Sequence, residues 1–226
     1  MMIIKWIKHE INIQRVNGLY SVYIIVNLVY IFLLGYVPER YIDLATSIII
    51  FSDPTMIGMV FVGAFILLEK RNNVTKGIGI SPLGARGYVI GKVISMWVIS
   101  VITSLVIASV YKVRTFNVVG LITSISIGSA IFTCIGIIVG EYVKSMNQYL
   151  VVIIIASIIL AIPLLSLIGL NFISLSIIPT GSIFSMIAIS IVGGDILIWD
   201  ILISLVWMFG VFIITEKVAQ NKLFRG

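Results

Sequence analysis

The stretch EKRNNVTKGIGISPLGARGYVIGK, Glu69–Lys92, is the longest polar run in a chain that is 60% hydrophobic. It carries five of the fifteen basic residues, Lys70, Arg71, Lys76, Arg86 and Lys92, and it lies between two segments apolar enough to cross a bilayer. A protein with almost no soluble mass has few places to receive energy from outside. This loop is the best placed of them.

A mean hydropathy of +1.21 with 11% charged residues does not fit a water-soluble domain, which would expose more apolar surface than water tolerates. The bilayer is the solvent this composition expects. The net charge of +6 is then read as a signal of orientation and not as a nucleic-acid footprint. Cys134 and His9 are the only residues of their kinds, so neither a disulfide nor a multi-histidine metal site forms within one chain. The basic residues spread through Met1–Gly18 argue for a retained N-terminus. The stretch closest to a phosphate-binding loop, Gly87 to Val93, has three residues between its glycines where four are needed, and no hydroxyl follows Lys92. No catalytic constellation stands out, so the chain reads as a non-enzyme that binds no cofactor of its own.

A spanning helix takes about 20 apolar residues at ~1.5 Å each to cross a core of ~30 Å. Segments that meet or approach this are Leu19–Val37, Pro54–Leu68, Tyr88–Val113, Val118–Gly140, Tyr149–Leu170 and Ile196–Thr215. Six crossings place both termini on one side. With Glu69–Lys92 and Glu141–Gln148 on that same side, twelve Lys/Arg fall there against three (Arg40, Lys112 and Arg114) opposite. That bias makes the first side cytoplasmic, with the Lys112/Arg114 pair running against it. Ile3, Ile4, Ile7 and Ile11 recur at helical spacing, so residues 2–15 are expected to lie along the inner membrane surface on an apolar stripe. Residues 171–195 are apolar but broken by Pro179, Gly181 and Gly193-Gly194, which suits short helices dipping in from the outer side. The expected fold is therefore all-α, one polytopic domain over residues 1–226.

The charges inside this frame each have two readings. Asp53-Pro54 is a proton or substrate site, or else a cap with proline in the first turn of the second span; the helix-start pattern favours the cap. Asp200, one turn into the last span, is expected to be water-exposed, and Glu69 to be an interfacial partner of Lys70 or Arg71. Gly136 and Gly140 form a small-xxx-small face better suited to packing within the chain than to a dimer seam. In the loop, Val74 and Ile78 give a short element one apolar edge, and Ser81-Pro82 restarts a helix. A docking surface for a soluble partner and an ordinary positive-inside loop both fit that pattern.

Leu68-Glu69-Lys70-Arg71, Ile80-Ser81-Pro82-Leu83, Tyr88 and Gly91-Lys92, in this order and spacing, resemble the signature of ABC-2 type exporter permeases. Phe51-Ser52-Asp53-Pro54 through Gly63 and Glu69 is similar to the branch labelled fluoroquinolone export permease. The likeness is best over residues 1–95, with Ile178-Pro179-Thr180-Gly181 and Gly193-Gly194 falling where the family has outer re-entrant helices. Val74-Thr75-Lys76-Gly77 departs from the family's Gly-Thr-Leu-like run.

The resemblance implies a half-transporter of the bacterial cell membrane with six spans, a cytoplasmic coupling segment over residues 69–87, and a second permease chain. ATP and Mg would sit on a separate ATPase subunit. The coupling residues it points to are Glu69, Lys70, Arg71, Val74, Ile78, Ser81, Pro82, Leu83 and Lys92; the outer-gate candidates are Asp53, Pro54, Pro179 and Gly181. The rivals are an ion- or proton-coupled transporter or channel using Asp53 and Asp200, and a non-transporting membrane subunit of an immunity or sensor complex.

Overall fold

A computed structural model describes residues 2–72, 74, 83–111, 116–164 and 178–223. The described residues fold into helices with no strand among them: α1 (Met2–Val16), α2 (Leu19–Leu34), α3 (Glu39–Ser52), α4 (Ile57–Arg71), α5 (Gly84–Tyr111), α6 (Val118–Tyr142), α7 (Met146–Leu160), α8 (Pro179–Val192) and α9 (Ile198–Leu223). Five runs are long and apolar enough to cross a membrane: α3 with α4, α5, α6, α7 with its following turn, and α9. Helices α1 and α2, bent by 64° at their joint, raise the number to six only where the pair is counted as one span. Gly18 makes that joint in the left-handed region (φ 79°), where a side chain would be strained. The chain is thus a polytopic all-α membrane protein. The ends of α4, α5 and α9 that carry Arg71, Arg86 and Lys222, with Lys144 in the α6–α7 connection, form the basic end of the bundle.

One expectation about the spans changes. The second span does not begin at Pro54: Glu39–Ser52 is helical and continues, across a break at Asp53–Met56, into α4. The combined run is 33 residues, which at ~1.5 Å each is about 50 Å and well beyond the apolar core. The polar residues of α3 hid it from a hydropathy reading. Thr46 and Ser47 bury their hydroxyls by donating to the carbonyls of Ile42 and Asp43, one turn back. Helix α7 ends at Leu160, and Pro163 lies in the 3₁₀ turn that follows.

Helix α6 is the spine, touching α4, α5, α8 and α9. Its glycine face is used inside the chain. A Cβ on Gly136 would lie 2.8 Å from the Cα of Met59, and one on Gly140 would lie 2.9 Å from the Cα of Gly63, so α4 and α6 meet backbone to backbone. From α7, the hydroxyl of Tyr149 reaches the same stretch of α4, accepting from the Gly63 N–H at 3.1 Å and donating to the carbonyl of Met59.

Helix α8 is the described part of the expected re-entrant segment; residues 165–177 lie outside the described residues. The N–H of Asn117, which caps α6, donates to the carbonyl of Ser190 at 2.8 Å, and the side-chain amide of Asn117 donates to Gly194 at 3.3 Å. Ile183, two turns earlier, packs on Gly128 beside Thr55. The C-terminal end of α8 is therefore level with the start of α6 and its N-terminal end lies deeper in the bundle. Gly193, at φ 83°, supplies the left-handed stop.

Candidate functional site

The helices flanking the 72–83 connection are pinned together by buried charge. Glu69 ends α4 and Lys92 lies two turns into α5; Lys92 Nζ is 2.6 Å from Glu69 Oε1. The same ammonium donates to both oxygens of Glu10 on α1, at 3.1 and 3.2 Å. The hydroxyl of Tyr88, one turn before Lys92, donates to Glu69 Oε2 at 3.0 Å, and Lys92 Nζ lies 4.8 Å from the Tyr88 ring. Lys92 and Tyr88 are 0% exposed, Glu10 1% and Glu69 4%. Burial is tolerated because every donor on the ammonium has an oxygen and each carboxylate has a partner.

Two carboxylates share one lysine, so the cluster holds an excess of negative charge when both are ionised. Burial pushes the Glu10 carboxyl up to about 7; Lys92 opposes the rise and Glu69 adds to it. Helix α1 is locked in place around the cluster. The Gln14 amide donates to Ser95 Oγ at 2.8 Å, and Trp6 packs over Gly91 with its ring 6.1 Å from that of Tyr88. The apolar stripe of α1 is only part of its contact. Trp6, Glu10 and Gln14, four residues apart, face the bundle, while Ile4 is exposed and Lys5, Lys8 and Asn12 form a polar side.

Lys70 is also engaged. Its ammonium is 2.9 Å from Glu141 and donates to the carbonyls of Gly140 and Glu141 at 2.9 and 3.0 Å, satisfying the last turn of α6.

The expected docking residues thus separate into two groups. Glu69 and Lys92 are interior, so Glu69 is not the exposed partner of Lys70 or Arg71. Arg71 is exposed, Val74 is 36% exposed and Leu83 is half-buried. Ile78, Ser81 and Pro82 lie outside the described residues. Sequence reasoning missed Glu10 and Glu141, and quoted Tyr88 in the family signature without counting it among the coupling residues; the four-residue spacing of Trp6, Glu10 and Gln14 was the signal that could have found Glu10.

The outer-gate candidates divide as well. Asp53 does not cap α4, whose cap position is Met56 with no side-chain bond. Its carboxylate accepts from Tyr23 at 3.2 Å, and Ser100, midway along α5, donates to the carbonyl of Pro54 at 2.6 Å. Asp53-Pro54 therefore sits at the middle of the bundle. Pro179 and Gly181 open α8 at its deep end. Asp200, expected in water, is 5% exposed and accepts from Ser185 at 2.8 Å. Among the described residues, no three His, Cys, Asp or Glu side chains converge as a metal site would need.

No curated protein matches the chain significantly, and no solved structure does. The sequence pattern of one family does, over residues 2–225. It is an ABC-2-type pattern, and it reaches across all the helices described above, where the likeness read from the motifs was best over residues 1–95. The chain belongs to the fluoroquinolones export permease protein family.

Proposed function

We propose that this export permease is the membrane half of an ATP-driven exporter of the bacterial cell membrane. The basic end faces the cytoplasm together with both termini. A separate ATPase subunit, holding ATP and Mg, docks on the connection between α4 and α5, and two permease chains pair to enclose the path. Arg71 and Val74 offer the exposed contacts for docking, and Leu83 adds a half-buried apolar edge.

The observation that carries this reading is the Glu69–Lys92–Glu10 cluster. A push on the connection cannot be absorbed by splaying α4 from α5, because their ends are joined by buried, charge-assisted bonds that also hold α1. The load passes to α4, and from α4 through the glycine seam to α6, as a rigid shift. An apolar groove of about 330 Å³ between α2 and α5, walled by Tyr23, Asn27 and Thr103, suits a hydrophobic or amphipathic cargo arriving from lipid.

A tagged copy taken from its native membrane in mild detergent is expected to bring an ATPase with it. Introducing Val74→Cys in a Cys134→Ser background should crosslink to that subunit. Recovery of no ATPase, together with uphill transport by the chain alone in vesicles, overturns the proposal.

A second reading has one observation in its favour. Asp53 is a carboxylate at mid-bundle bonded to a tyrosine, a position where ion- or proton-coupled carriers place their working charge.

A further inference from the structure

A cavity of about 670 Å³ opens at the basic end between the last turn of α4, the α6–α7 connection and the last turns of α9. The Glu69–Lys92–Glu10 cluster does not use it. Ala64, Leu67 and Leu68 form its apolar wall, and Lys70, Arg71, Lys144 and Lys222 stand around it with Glu141 as the single carboxylate. Lys70 is satisfied by Glu141 and the end of α6. Arg71 and Lys144 are exposed and have no carboxylate partner among the described residues; Lys222 lies 5.0 Å from the ring centre of Tyr142, a cation on an aromatic face at the rim. Four cations held against one carboxylate leave the cavity strongly positive.

A second feature leads out of it. Met146, at the cavity's edge, begins α7, and Met146, Leu150, Ile154 and Ile158 are exposed at four-residue spacing. This is a continuous aliphatic track up a spanning helix, about 18 Å long at ~1.5 Å per residue. A basic pocket at the end of the spans, opening onto an aliphatic track, matches a molecule with an anionic head and long hydrocarbon chains.

We propose that this cavity binds the phosphate headgroup of an anionic membrane phospholipid, with the acyl chains lying along the exposed face of α7. Its walls favour lipid over an acidic segment of a soluble protein. Ala64, Leu67 and Leu68 belong to the apolar part of α4, and the track continues away from the water side. The inference does not depend on the ATP-driven reading, since it requires no ATPase.

The test uses the full chain purified in a neutral detergent and unfolded by heat, followed through its tryptophan fluorescence. Phosphatidylglycerol is expected to raise the midpoint and phosphatidylcholine to leave it unchanged. The rise should disappear in Arg71→Gln/Lys144→Gln/Lys222→Gln and survive in the charge-conserving Arg71→Lys/Lys144→Arg/Lys222→Arg. Should the neutral triple variant fail to fold, Lys144→Gln and Arg71→Gln taken singly are expected each to reduce the rise. An equal rise with inorganic phosphate overturns the lipid assignment in favour of a free anion, and an equal rise with a poly-glutamate peptide overturns it in favour of a protein contact. A phosphatidylglycerol effect that is unchanged in every neutral variant places the lipid elsewhere and also overturns it.

Discussion

Lys92 and Glu69 stand 23 residues apart in the chain and 2.6 Å apart in space, both buried, one on each side of the connection between α4 and α5. Neither side chain offers anything to a partner surface. Together they fasten two helix ends to each other, with Glu10 tying the N-terminal helix to the same point. Such a pair costs desolvation, which only good geometry and complete hydrogen bonding offset, and here the ammonium reaches three carboxylate oxygens.

Lys92→Met is expected to destabilise the protein by roughly 3–5 kcal/mol, because it leaves two buried carboxylates with no counter-charge. Adding Glu10→Gln and Glu69→Gln should restore much of the loss, since neutral amides bear burial more cheaply than ions. Unfolding midpoints in detergent decide it. A triple variant as unstable as the single one would sink the electrostatic explanation.

The pH dependence has a definite sign. Glu10 rises from an ordinary 4.5 to about 7 when α1 is docked, so the folded protein holds its proton more tightly than the unfolded chain. The stability this contributes is complete below about 4.5 and is lost as the pH climbs through about 7. The groups facing Glu10 are Lys92 and Tyr88 on α5 and Glu69 on α4. Midpoints measured across this window should fall with rising pH in the wild type and stay flatter in Glu10→Gln. Parallel curves would show that Glu10 is not the group responsible.

The order of the spans was legible because each of them is set by length and hydropathy, which are local properties. The Gly136/Gly140 face was legible too, since close helix approach needs small residues at four-residue spacing. Helix α3 was not, because Thr46 and Ser47 look polar in sequence and become apolar only once their hydroxyls bond back to the helix. Glu69, Lys92 and Asp200 were read as surface because a charge beside a span normally snorkels to water. What buries Glu69 and Lys92 is a partner, Glu10, 82 residues from Lys92, and nothing local announces such a partner. Glu39–Ser52 and Asp53 were misplaced together: once α3 is a loop, Asp53 must lie at a membrane boundary.

The glycine seam predicts opposite outcomes for one substitution at two sites. Gly136→Ala would set a methyl 2.8 Å from the Met59 Cα and 2.9 Å from its carbonyl oxygen, backbone atoms that cannot swing aside, and should cost roughly 1–3 kcal/mol. Gly210→Ala, in mid-α9 with nothing within 4 Å of the new methyl, should be neutral or stabilising by up to about 1 kcal/mol. The same thermal unfolding reads both. Equal destabilisation by the two would mean that α4 and α6 do not meet at Gly136.

Asp53 separates the two functional readings, provided that stability and transport are both measured. Asp53→Asn keeps an oxygen that accepts from the Tyr23 hydroxyl, so the bundle should lose less than about 1 kcal/mol. Asp53→Leu removes the acceptor and strands that hydroxyl inside the protein, at roughly 1–3 kcal/mol. If ATP drives transport, Asp53→Asn should export nearly as fast as the wild type, because the carboxylate is then a structural acceptor for α2 and its charge is dispensable. If an ion or proton gradient drives it, the same variant should fold normally and yet lose gradient-dependent flux in vesicles that contain no ATPase. A stable Asp53→Asn protein with no flux under ATP would remove the purely structural role, because only the charge, and not the hydrogen bond, had been taken away.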